Sequence, residues 1–163
     1  MECKCKVDLP YPEVTERRVN KYEVGLLMPA YGGRNSETTA IMGYIYQSYI
    51  LAPEYPEIAH CLEEIGITEM RHHDLLGTAI VNMGGTPYIG GNNGYWQGSY
   101  VNYIKVPHII INNNIMGERN AIAHYREIIR KTHIDEIKEM IERIILDEEV
   151  HISTLEKIKK EYF

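Results

Sequence analysis

Apolar positions recur every three or four residues along most of this chain, the period of helices with one buried face. The first such stretch runs from about Val19 to Leu51, with Val24, Leu27, Met28, Tyr31, Thr38, Ile41, Met42, Ile45 and Tyr49 on its stripe. Pro29 and the Gly32-Gly33 pair interrupt it, so a kink or break is expected there. The connector Ala52–Pro56 leads to a second helix over about Glu57 to Met83, which Gly84-Gly85 stops in a left-handed turn. A third helix spans about His108 to Lys131. A fourth spans about Ile134 to Glu161, with Ile137, Met140, Ile141, Ile144, Ile145, Ile152, Leu155 and Ile158 as its stripe. No segment alternates strongly enough to build a sheet. Residues 1–18 hold Pro10 and Pro12 and no period, and read as an extended arm ahead of a bundle over 19–163.

Residues 84–107 are a connection of 24 residues without a helical stripe, carrying four tyrosines and Trp96. So long a loop needs a reason. A short loop would set the second and third helices antiparallel. A crossover along the bundle sets them parallel and relates the two helix pairs by a pseudo-two-fold axis. Extended chain covers ~3.3 Å per residue, ample for the ~35–40 Å required. The expected fold is therefore all-α: two antiparallel helix pairs joined by a long crossover. The tyrosines and Trp96 read first as packing against the bundle or a second subunit, and a homo-oligomer is expected.

The net charge of -6 argues against nucleic acid or an anionic membrane as partner. No apolar run reaches a membrane span, and the first residues have no signal-peptide character. The three cysteines, Cys3, Cys5 and Cys61, are odd in number and irregular in spacing. They argue against a disulfide framework and for a reducing, cytoplasmic compartment, with Cys3 and Cys5 as ordinary thiols on a loose tail.

Two Glu-x-x-His pairs carry the chemistry: Glu69–His72 in the second helix and Glu148–His151 in the fourth. At this spacing both side chains leave one helix face and reach one ion. One pair alone is weak, since this composition yields ~0.8 by chance. Glu57–His60 is such a decoy. An internal repeat lifts the signal. Glu37 to Tyr44 and Glu118 to Tyr125 both read E-x-x-A-I-x-x-Y; Glu63 to His72 and Glu142 to His151 both read E-x-I-x-[IL]-x-E-x-x-H. Glu37 and Glu69 are 32 residues apart, Glu118 and Glu148 are 30. A rise of ~1.5 Å per residue returns each pair of carboxylates to one level of its hairpin. Four carboxylates in an apolar bundle repel one another and are costly to desolvate. Two divalent cations cancel them, and oxygen-rich ligation with one imidazole per metal suits iron or manganese.

These residues resemble the ferritin-like di-metal carboxylate superfamily, and most closely its manganese catalase and rubrerythrin-like branch. The likeness is strongest over residues 30–80, with Gly32-Gly33 before Glu37, the Y-x-x-Q-S segment from Tyr44 and the Glu69–His72 pair; the second half rests on Glu118 and LDEEVH at 146–151. The resemblance implies two iron or manganese ions. Glu37 and His72 would be terminal on one, Glu118 or Glu148 and His151 on the other, with Glu69 bridging and Glu148 a second candidate bridge. It implies an oxidoreductase acting on hydrogen peroxide or dioxygen, re-reduced by a second peroxide or an external electron donor. Glu69, Glu148, Tyr44 and Tyr125 are the candidate catalytic groups for moving protons. Ferritin-like iron oxidation and storage is the alternative, and a non-catalytic coat or interaction protein the third. The chain departs from the family in places. Ala121 stands where rubrerythrins carry a second glutamate, no rubredoxin domain follows, and only 12 residues come after His151, too few for the storage ferritins' fifth helix. Arg34, Arg71, Arg119 and Asp147 are candidates for orienting the ligands, though each alone reads first as solvated, and His73, His108, His124 and His133 read as surface or interface histidines.

Overall fold

The computed structural model describes residues 3–163; the first two residues of the arm lie outside it. Five α-helices carry the fold: α1 (Lys21–Gly32), α2 (Glu37–Leu51), α3 (Pro56–Asn82), α4 (Pro107–Lys131) and α5 (Asp135–Tyr162). Short connections make α2–α3 and α4–α5 two hairpins that pack lengthwise, and α3 also touches α5. The stretch expected as one interrupted helix is two. At the break Gly32 lies so close to Gly90 that an added Cβ would sit 2.5 Å from the Gly90 amide. Four residues later the chain restarts, with Ser36 Oγ accepting from the Thr39 amide at 3.4 Å. Gly84 adopts the left-handed conformation (φ 76°) that ends α3.

The crossover runs from Gly84 to Val106 as an irregular segment, with a two-residue strand pair, β1 (Gly90–Gly91) and β2 (Gly94–Tyr95), and one 3-10 turn. Two apolar clusters fill the bundle. One gathers Leu27, Leu76, Ile80, Ile137 and Ile141; the other gathers Ile58, Leu62, Ile111 and Ile158. Between them lies a buried polar layer, which holds the candidate site. Buried Glu23 of α1 accepts from Thr132 Oγ1 (2.7 Å) and the His133 amide (2.9 Å), tying α1 to the α4–α5 turn.

The arm has no regular structure, and it is not loose. It runs antiparallel along α5. Lys4 accepts from Thr154, Cys5 meets His151, the Val7 amide donates to Asp147, Leu9 accepts from Arg143, and the Thr15 amide donates to Glu136. Cys3 is bonded to Cys61 of α3 in a disulfide, and among the described cysteines only Cys5 is free. The expectation of ordinary thiols on a tail is therefore wrong, and the argument from unpaired cysteines to a reducing compartment falls with it. The physical reason is the arm's seat: it brings Cys3 to α3 across 58 residues of sequence, a pairing that cysteine spacing does not encode. Among the described residues no helix is long and apolar enough to cross a membrane.

Candidate metal centre

The internal repeat folds as its spacing requires. Glu37 opens α2 and Glu118 sits in mid-α4, while Glu69–His72 and Glu148–His151 face inward from α3 and α5. All six are buried, none more than 4% exposed. Their donor atoms form two groups, each within 4.8 Å: Glu37, Glu69, His72, Glu148, and Glu69, Glu118, Glu148, His151. Glu69 and Glu148 belong to both.

The two histidines see matching surroundings. His72 Nδ1 lies 2.9 Å from Glu69, 3.4 Å from Glu148 and 3.9 Å from Glu37. His151 Nδ1 lies 3.0 Å from Glu148, 3.2 Å from Glu69 and 3.7 Å from Glu118. On the far side of its ring His151 Nε2 sits 2.7 Å from the Cys5 carbonyl. A carbonyl only accepts, so Nε2 carries a proton, and Nδ1 is the ring atom aimed at the carboxylates. His72 Nε2 faces Asp147 at 3.1 Å in the same way. This is the outer hydrogen bond that fixes a metal-ligating histidine's tautomer and aim.

Tyr44 and Tyr125 exchange partners between the halves: Tyr44 donates to Glu118, and Tyr125 donates to Glu37. Asp147 is fully buried and accepts from the Val7 amide (2.8 Å) and the Tyr11 hydroxyl (2.6 Å), with Arg143 2.8 Å away. Of the two roles open to Asp147, solvated or orienting a ligand, its burial against His72 excludes the solvated one. Its partners Tyr11 and Arg143, and the Cys5 carbonyl, escape sequence reasoning altogether. One signal was available for Arg143 and Asp147: a charged pair at i, i+4 among the buried isoleucines of α5. Arg71 and Arg119 do lie at the surface, paired with Asp74 and Glu156, and Arg34 stands over the Tyr100 ring. His73 stacks half-buried on Tyr31, His133 stacks on Tyr22 and His124 packs beside Tyr125, while His108 is exposed. Glu57 and His60 are both exposed on the outside of α3.

The electrostatics fit cations. Burial pushes the Glu37 and Glu118 carboxyls well above the usual carboxylate range, and the charges of Glu69 and Glu148 push the same way. Burial acts on Glu69 too, but the charges and hydrogen bonds of His151 and His72 hold it low. Burial would depress both imidazoles; Glu148 and Asp147 raise His72, and Glu69 and Glu148 raise His151, each well above its ordinary value. Without metal the cluster keeps protons to supply the positive charge it needs. Glu69 Oε1 is buried, with His151 Nδ1 3.2 Å away. Four carboxylates and two imidazole Nδ1 atoms converging here fit two divalent ions of the iron or manganese kind.

A cavity of about 400 Å³ lies between α2 and α4 and reaches all four glutamates, with Tyr44 and Tyr125 in its wall. The crossover roofs it through Tyr100, Asn102 and Ile104. Trp96 anchors that roof by donating to Thr39 Oγ1 at 2.9 Å.

Compared by sequence, the chain matches no protein-family model and no curated protein. By structure it is similar to a manganese catalase from Anabaena, with TM-score 0.83 and 22% identity over 100% of this chain and 84% of that one. It is also similar to the bacterioferritin of Rhodobacter capsulatus (TM-score 0.75, 23% identity, 89% of this chain and 88% of that one). The bacterioferritin of Desulfovibrio desulfuricans, described with a diiron site, aligns with TM-score 0.70 and 25% identity over 85% of this chain and 78% of its own.

Proposed function

We propose that this ferritin-like bundle is a di-metal oxidoreductase that takes hydrogen peroxide or dioxygen as oxidant and holds two iron or two manganese ions. The observation that carries this reading is the pair of ligand groups sharing Glu69 and Glu148 at the floor of an open cavity. A site closed on all sides would fit a structural ion; this one is reachable by a small oxidant.

Glu37 and His72 would hold one ion, Glu118 and His151 the other, with Glu69 and Glu148 between them. Bound there, the ions supply the redox equivalents and the Lewis acidity that polarises the oxidant. The protein's own part is positioning and proton traffic. Asp147 and the Cys5 carbonyl fix the aim of the two imidazoles. Tyr44 and Tyr125 each keep a phenolic proton on a ligand carboxylate at the cavity wall. Burial and the Glu118 charge raise the Tyr44 phenol well above its ordinary value, so it stays protonated and serves as a donor.

The test is direct. Protein loaded with Mn(II) or Fe(II) is mixed with peroxide, and oxygen release or peroxide loss is followed. Accelerated loss is expected; no acceleration of peroxide loss or of Fe(II) oxidation defeats the proposal. The likeness to bacterioferritins supports a second reading, iron oxidation with storage. A large assembly on gel filtration holding far more than two irons per chain would select it. Purified protein without transition metal, with a melting temperature indifferent to Glu69→Ala, would instead select a non-catalytic coat or interaction role.

A further inference from the structure

The cavity between α2 and α4 is far larger than a peroxide needs. It holds about 400 Å³, whereas one water in the liquid occupies ~30 Å³. Glycine builds part of this room. Gly43 in α2 and Gly117 in α4 both line the cavity in mid-helix, where glycine is destabilising relative to alanine. Neither is required by packing. A Cβ at Gly117 would meet nothing within 4 Å, and one at Gly43 only the Gln47 amide nitrogen at 4.0 Å. Gly117 is exposed and Gly43 half-buried, so both border the open side of the cavity, where a larger side chain would reach over it.

The walls specify a ligand class. Apart from the four glutamates assigned to the metals, no acidic, lysine or arginine side chain lines the cavity. Burial holds His124 below its ordinary value, so that ring is neutral as well. Hydrogen-bonding groups come from amides, among them Asn35, Asn113 and Asn120, and flat surface comes from Tyr100 and His124. Gln47 and Asn114 clasp each other across the gap, Gln47 Nε2 donating to Asn114 Oδ1 at 3.1 Å and Asn114 Nδ2 to Gln47 Oε1 at 2.7 Å. A neutral ring with two hydroxyls matches amides, flat walls and absence of charge.

We propose that this cavity binds a neutral dihydroxyaromatic reductant of the hydroquinone type, the electron donor for the centre beneath it. The proposal rests on the peroxide reading above and deepens it. The reaction balances: the hydroquinone loses two electrons and two protons and becomes a quinone, and one peroxide gains both, its O–O bond breaking to give two waters. Tyr44 and Tyr125 line the cavity and donate to Glu118 and Glu37, and they are the groups through which the donor's protons would pass.

Calorimetric titration of hydroquinone, without air, into the manganese-loaded protein tests this. Saturable binding at one site per chain is expected. Gly117→Leu, which fills the space, should weaken it about tenfold or more while two metals per chain and the melting temperature persist. Gly43→Leu fills the same space from α2 and serves if the first variant does not fold. One quinone should form per peroxide consumed. Absence of saturable binding to the parent protein, or binding unchanged in a folded, metal-loaded variant, overturns the proposal. Binding without peroxide turnover defeats the oxidant reading and leaves the cavity's ligand class standing; peroxide turnover without hydroquinone binding defeats this inference alone.

Discussion

Tyr44 and Tyr125 each give one hydrogen bond to a buried carboxylate, and a hydrogen bond to a charged group contributes about 1.5–3 kcal/mol. Tyr44→Phe and Tyr125→Phe should each lower the melting temperature and weaken metal binding roughly tenfold, read by competition with a chelator. Unchanged affinity in both would reduce the tyrosines to core packing. Asp147 matters from the other side of His72. Asp147→Ala leaves the His72 Nε2 proton without its acceptor and removes the carboxylate beside buried Arg143, and metal affinity should fall about 10–100-fold. The pH dependence follows from the raised groups. Glu37, Glu118, His72 and His151 all titrate higher in the folded, metal-free protein than in the unfolded chain. Their stabilisation is complete below the unfolded values, about 4.3 for Glu and 6.5 for His, and is lost as pH rises through the folded ones. Metal ions bound there would replace those protons. The rise in melting temperature on adding Mn(II) should therefore be larger at pH 8 than at pH 5.5, and an equal rise at both would refute the assignment.

At the scale of elements, the arm and α5 act as one unit. The Cys3–Cys61 link closes a loop of 58 residues, for which chain entropy gives about 4 kcal/mol of stabilisation. Cys61→Ala should lower stability by up to that amount in denaturant titration without reductant, and added reductant should not lower it further. The four long helices and the buried cluster of six candidate ligands were legible because their signals are local: a 3.6-residue stripe, a three-residue Glu–His spacing, a pattern repeated in both halves. The arm's contribution was not. A proline-bearing stretch without period says nothing of where it lies, so the Cys5 carbonyl behind His151 and Tyr11 behind Asp147 are visible only in three dimensions. Asp147 reads first as solvated because its neighbours in sequence are acidic, whereas its neighbours in space are Arg143, Tyr11 and His72. The break between α1 and α2 was legible from Pro29 and the glycine pair; the close approach of Gly90 that makes Gly32 necessary was not.

The whole molecule has two unlike faces around its centre. On the α3–α5 side the arm seals both histidines; on the α2–α4 side the cavity opens to the four glutamates. The outer sides of α2 and α3 expose Tyr49 (71%), Ile67 (50%), Met42 (46%) and Met70 (44%), more apolar surface than two helices of a lone chain need to show. Self-association through this side is expected. Met42→Glu with Ile67→Glu should shift the sedimenting species to a smaller mass, and an unchanged mass would place the contact elsewhere. The crossed tyrosines make the two halves interdependent. Each candidate ligand group draws on both halves, and the tyrosine of one half holds the glutamate of the other, so one helical hairpin alone cannot assemble either group. Two separate hairpins would have to meet for every centre formed, and the long crossover spares the chain that second-order encounter.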